Sequence, residues 1–153
     1  DESQLTWLPD QPYTTGSWGY IGGKEQGTQT EIRNTPDGPL FQTLRNELEG
    51  YRFDVPPGVY EAEFLFTDIF RRQAAIAYQL GRNAQQENRE NTFGISVNGK
   101  MLEEALSPCK ETGYFHALRR KYNITNHEDH IDIRFHSTNG TCFLNGIKLR
   151  KIY

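Results

Sequence analysis

The segment Val59-Tyr60-Glu61-Ala62-Glu63-Phe64-Leu65-Phe66 alternates strictly. Tyr60, Ala62, Phe64 and Phe66 fall on one side of an extended chain, and Glu61 and Glu63 fall on the other. A period of two with one apolar face is the pattern of a half-buried β-strand. Upstream, Tyr51-Arg52-Phe53-Asp54-Val55 alternates in the same sense and is followed by Pro56-Pro57-Gly58, so the two stretches predict a hairpin.

The same signal recurs toward the C-terminus. Phe93-Gly94-Ile95-Ser96-Val97, the turn pair Asn98-Gly99 and Lys100-Met101-Leu102 predict a second hairpin. His130 to His136 alternates, and Thr138-Asn139-Gly140 leads into Cys142 to Leu149, which predicts an antiparallel pair. Asn145-Gly146 inside that last run marks a bulge or a close backbone approach. Two regions lack strand character. Gly16 to Pro39, rich in Gly and Thr, reads as a long surface loop, and the polar stretch from Arg71 to Asn91 reads as a loop insertion in which Ala74 to Leu80 has the composition for two helical turns. Six or more strands without βαβ alternation predict an all-β jelly-roll β-sandwich with long loops at one end, formed by residues 1–153 as a single domain.

A chain of 153 residues suffices for one hydrophobic core. Its 35% of hydrophobic residues is low, but nine Phe, eight Tyr and two Trp carry the burial in a few large side chains. A formal charge of −3 offers nothing to nucleic acid, and Arg119-Arg120-Lys121 reads as a solvated strand or loop edge. No apolar run approaches the ~20 residues of a membrane span. The start at Asp1 without Met suggests a piece of a longer polypeptide. Cys109 and Cys142 make no C-x-x-C pair; they form either a bridge or two small buried hydrophobes. No metal site and no cofactor are expected.

The expectation is an accessory domain rather than an enzyme. G-x-S-x-G, H-E-x-x-H and phosphate-cradling glycine loops are all missing from the sequence, so no catalytic set is nominated. His130 and His136 share the polar side of their strand, where a solvated pair is expected. Asp68 stands where a core strand runs out into a loop, either as an ion-pair partner of Arg45 or as a ligand group. Trp7, Tyr13, Trp18 and Tyr20 lie outside the core pattern, interleaved with Pro and Gly. Such rings either staple a loop or offer the flat apolar face on which a sugar stacks, with Asp, Asn and Arg beside them for its hydroxyls.

Several runs in order resemble the malectin and malectin-like carbohydrate-binding domains. They are Leu40-Phe41-Gln42-Thr43-Leu44-Arg45, Tyr51-Arg52-Phe53-Asp54-Val55-Pro56, Gly58-Val59-Tyr60, Phe64-Leu65-Phe66-Thr67-Asp68-Ile69-Phe70, Phe93 to Gly99 and Leu144-Asn145-Gly146-Ile147. The opening Trp7 to Tyr13 and Gly16 to Gly23 looks like the form of this domain appended to bacterial glycoside hydrolases of family 2, the β-galactosidase group. The resemblance implies a sugar held by Trp18, Tyr20 or Phe70 and hydrogen-bonded through Arg45, Asp68 or Asn139. It also implies catalysis elsewhere in a secreted or periplasmic parent enzyme, whose catalytic domain would be the other partner. Asn46, Arg71 and the carboxylate-free Ser137-Thr138-Asn139-Gly140 loop depart from the family's sugar site and point away from malectin's own diglucose.

Overall fold

The computed structural model describes residues 10–70 and 90–153. They form two antiparallel sheets packed face to face. The larger sheet contains β1 (Trp18–Gly27), β2 (Thr43–Phe53), β7 (Ile131–Asn139), β4 (Thr92–Val97) and β5 (Lys100–Leu106) in that spatial order, with β8 (Phe143–Leu144) also paired to β2. The smaller sheet is β6 (Leu118–Asn126), β3 (Gly58–Phe66) and β9 (Gly146–Lys151). A 3₁₀ turn over Gly38–Phe41 precedes β2, and a five-residue helix, α1 (Pro108–Thr112), links β5 to β6.

The alternation in β3 is realised as read. Tyr60, Ala62, Phe64 and Phe66 are buried in the main core with Phe93, Ile95, Ile131, Ile133 and Phe143. Phe66, Phe93 and Phe143 pack edge-on or tilted at centroid separations of 5.5–6.4 Å, the geometry that aromatic quadrupoles favour. Leu65, on the other face, joins a satellite cluster with Ile32, Phe41 and Ala117. Glu63 is buried there too, but it accepts from Arg119 at 3.0 Å, and Arg119 also reaches Asp37. The basic run on β6 is therefore partly an ion-pair network rather than a purely solvated edge.

Three strand pairings differ from expectation. β2 and β3 lie in different sheets, so Pro56-Pro57-Gly58 is a crossover between layers and not a hairpin turn. The first proline carries no N–H for a ladder, and its carbonyl accepts from Tyr60 Oη at 2.7 Å. β7 pairs with β2 and β4 rather than with the strands that follow it. The Gly16 to Pro39 stretch, expected as a long surface loop, contains β1, ten residues antiparallel to β2 with a register shift at Ile21/Gly22. The Asn98-Gly99 hairpin joining β4 to β5 is present, with φ values of 49° and 83°.

Asn145 stands at the switch between layers. β8 before it pairs with β2, and β9 after it pairs with β3. Its side chain accepts from Thr67 N at 2.7 Å and donates to the carbonyls of Phe41 and Thr43 at 2.8 and 2.9 Å, so one amide satisfies three backbone groups where neither sheet can. The close backbone approach expected at Asn145-Gly146 is this crossing. Cys109 and Cys142 are both free thiols, so the bridge is not formed; burial pushes the Cys142 thiol up to about 11. Among the described residues no helix is long and apolar enough to cross a membrane. The readings for Trp7 and for a helix at Ala74 to Leu80 lie outside the described residues.

Candidate functional site

The sandwich opens on one side into a cleft of about 1250 Å³, bounded by β1 and β2 of the larger sheet and by β9 of the smaller one. This exceeds the ~300–1,000 Å³ usual for small-molecule pockets. Trp18, Tyr20 and Arg45, three of the residues nominated from sequence, line it together. β1 places Trp18 and Tyr20 on one face because alternate residues of a strand point the same way. Their cross-strand partners are Phe53 and Tyr51. Trp18 stacks at 6.4 Å on both of these rings and remains half-buried, so its body belongs to the core and its rim to the cleft.

Arg45 is held from three directions. Its guanidinium lies 3.4 Å from the Tyr20 ring centroid, an attraction between cation and ring quadrupole. Nη1 donates to Gly23 O at 3.4 Å, and Nε donates to Asp10 Oδ2 at 3.3 Å. The other Asp10 oxygen, Oδ1, accepts from Tyr51 Oη at 2.9 Å. Burial pushes the Tyr51 phenol well up, and Asp10 beside it adds to the effect, so the hydroxyl stays a donor at any ordinary pH. The expected partnership of Arg45 with Asp68 is not formed; Asp10 takes that place.

Asp10 reaches Arg45 because residues 10–17 form a strap along the outer edge of β1. Tyr13 N donates to Tyr20 O and Tyr20 N to Gln11 O, and the Gln11 side chain donates to Trp18 O at 2.8 Å. Tyr13 Oη and Gly16 N both donate to Asp54, which Arg52 also contacts at 3.1 Å. Those bonds hold the Asp54 carboxyl below the usual carboxylate range, the Tyr13 hydroxyl foremost. A side chain at Gly19 would collide with the Gln11 and Pro12 backbone, which is why glycine occupies that position.

The other nominated residues lie apart from the cleft lining. Asp68 is fully buried at the end of β3; it accepts from Phe70 N at 3.0 Å and from Asn91 Nδ2 at 3.4 Å. Burial raises its carboxyl above the usual range, against the lowering effect of those two donors and the Cys109 thiol. Phe70 is half-buried and packs on Phe143 at 5.6 Å. Asn139 is exposed at the end of β7, beside a shallower groove of 460 Å³ to which Arg134, His136, Ser137 and Thr141 contribute. A chain of hydrogen bonds links this end: Asn91 Oδ1 accepts from Thr141 N at 3.0 Å, and Thr141 Oγ1 donates to Asn46 Oδ1 at 2.6 Å. His136 Nε2 lies 2.8 Å from Ser96 Oγ on the polar side of β7, and His130 sits beside Asp129.

Sequence reasoning missed Asp10 and Tyr51. Tyr51 carried a signal, being a phenol on a core face that needs a polar partner. Asp10, 41 residues away, carried none.

The malectin domain family model matches residues 1–150. A crystal structure of Bacteroides uniformis β-glucuronidase is similar at 72% identity with a TM-score of 0.87, over 100% of this chain and 16% of that one. Bacteroides uniformis β-glucuronidase 2 covalently bound to cyclophellitol-6-carboxylate aziridine matches at 70% identity with a TM-score of 0.85, again over 100% and 16%. This chain thus spans about a sixth of the length of those enzymes. The ANXUR2 extracellular domain from Arabidopsis thaliana shares the fold at 15% identity and a TM-score of 0.64, over 91% of this chain and 42% of that one. No curated protein matches the chain.

Proposed function

The chain belongs to the malectin domain family, and from that premise we propose that it is a non-catalytic carbohydrate-binding module appended to a glycoside hydrolase of β-glucuronidase type. Its ligand is a glycan held in the cleft between β1 and β9. The observation that carries this reading is the convergence of Trp18, Tyr20 and Arg45 on one open cleft of about 1250 Å³, with aromatic surface for a pyranose face and fixed donors for its oxygens. The parent enzyme of this reading works in the periplasm or outside the cell, and its catalytic domain is the module's covalent neighbour. The likeness to the Bacteroides uniformis enzymes over a sixth of their length supports that arrangement.

The test is titration of the chain with methyl β-D-glucosides, galactosides and glucuronides, read by tryptophan fluorescence and calorimetry. Trp18→Ala is expected to weaken binding by about 1–3 kcal/mol, as loss of a stacked aromatic anchor does. A flat response to every sugar in the panel overturns the reading.

A second reading has its own observation. The Arg45 guanidinium covers one face of Tyr20, and Ile152 and Tyr153 are exposed at 40% and 82%. Those features suit a packing domain that seats against the catalytic part of its parent without a sugar of its own. On that reading Ile152→Ser with Tyr153→Ser loosens the parent enzyme's domain packing, seen as a split thermal transition, while sugars give no signal.

A further inference from the structure

The contacts of Asp10 have the form of a ligand contact made by the chain itself. Each of its carboxylate oxygens takes one donor, Arg45 Nε on one side and Tyr51 Oη on the other. The donors are built in. Tyr51 is 2% exposed, the Arg45 side chain is 11% exposed, and the guanidinium is fixed by the Tyr20 ring and Gly23 O. The acceptor is looser: the Asp10 side chain is 38% exposed at the cleft mouth. Among the described residues, the backbone and side-chain bonds that pin the strap run from Gln11 onward, so the Asp10 carboxylate can rotate off its donors while those bonds stay in place. Two donors set for the two oxygens of one planar anion select a carboxylate by geometry as well as by charge.

We propose that the Arg45–Tyr51 pair is a carboxylate seat, held by Asp10 in the sugar-free chain and taken by the C6 carboxylate of a uronic acid residue when an acidic glycan enters the cleft. This rests on the reading of the cleft as a sugar site and adds the ligand class. The exchange replaces one carboxylate by another on the same two donors, so no buried charge is left unpaired at either stage. Asp10 is then a competitor for the seat, and a neutral sugar gains nothing from displacing it.

The experiment uses methyl β-D-glucuronide and methyl β-D-glucoside with the whole chain, by calorimetry. The wild type is expected to prefer the glucuronide. Asp10→Asn is expected to tighten glucuronide binding by about tenfold, the worth of one charge-assisted hydrogen bond, with the glucoside unchanged. Tyr51→Phe, which keeps the ring against Trp18 and Phe53, is expected to remove most of the preference, and Arg45→Gln all of it; thermal melts of both report whether the fold is intact. Equal affinity for the two sugars in wild type and Asp10→Asn overturns the seat and leaves the module standing. A weaker glucuronide complex in Asp10→Asn also overturns it, since Asp10 would then be part of the ligand contact. Absence of binding by either sugar in every variant overturns the seat, and it overturns the module as well when the galactoside is silent too.

Discussion

Asp68 keeps its carboxyl out of water, with the Phe70 N–H and the Asn91 amide as donors and burial holding its pKa above the ordinary 3.8. The sign of the pH effect follows. Below about pH 4 the group is protonated in both folded and unfolded chains and favours neither. As pH rises, the unfolded chain releases its proton first, and stability falls until the raised folded pKa is passed. Asp68→Asn keeps an acceptor for the Phe70 N–H and removes that slope. Urea midpoints should therefore move in favour of the variant as pH rises above about 4; an unchanged or opposite difference would mean that Asp68 is stabilised as the anion. The aspartate was legible as a strand-end residue because it follows Phe64 and Phe66 directly. Its sealing was not, since that depends on Asn91 and on the Cys109 region, far away along the chain.

Among the elements, the alternating strands were the legible ones, and β1 was not. Along Trp18-Gly19-Tyr20-Ile21-Gly22-Gly23 the apolar face is broken by glycines that a bulge and the overlying strap require, so no period-two signal survives. Pairing was less legible than strand character. Tyr51 to Val55 and Val59 to Phe66 both alternate, and the Pro-Pro-Gly link between them reads as a hairpin turn but is a crossover, because only the packing of two layers decides. Asn145 shows what that decision needs, because its amide serves Thr67, Phe41 and Thr43 at the point where β8 gives way to β9. Asn145→Ala leaves a backbone N–H and two carbonyls short of a partner and is expected to cost about 2–4 kcal/mol. Chemical denaturation measures this, with hydrogen exchange at Thr67 as the local readout.

At the scale of the molecule, the two sheets are joined by one aromatic-rich core, so a hole in its centre should be felt in both. Phe66 stacks on Phe64 of its own strand and meets Phe93 and Phe143 across the layers. Phe66→Ala is expected to lower stability by about 3–5 kcal/mol in a single transition; two separable transitions would show the sheets to be independent units. The cleft follows from the same architecture, since it is the side on which the layers part. Its aromatic members were legible because Trp18 and Tyr20 stood outside the core pattern. The Asp10 contacts with Arg45 and Tyr51 were hidden, because the three residues come together only when the strap lies along β1.

Beside the opening, β9 ends its sheet and the strap pairs its backbone with β1 only at Tyr20 among the described residues, and unpaired strand borders invite neighbouring copies to continue the ladder. β9 places Lys148, Arg150 and Lys151 within six residues, and β1 is kinked at Ile21/Gly22 beside Lys24 and Glu25. Like charges on one rim and an uneven outline on the other oppose edge-to-edge association, so the opening between the layers does not make the chain a template for fibrils.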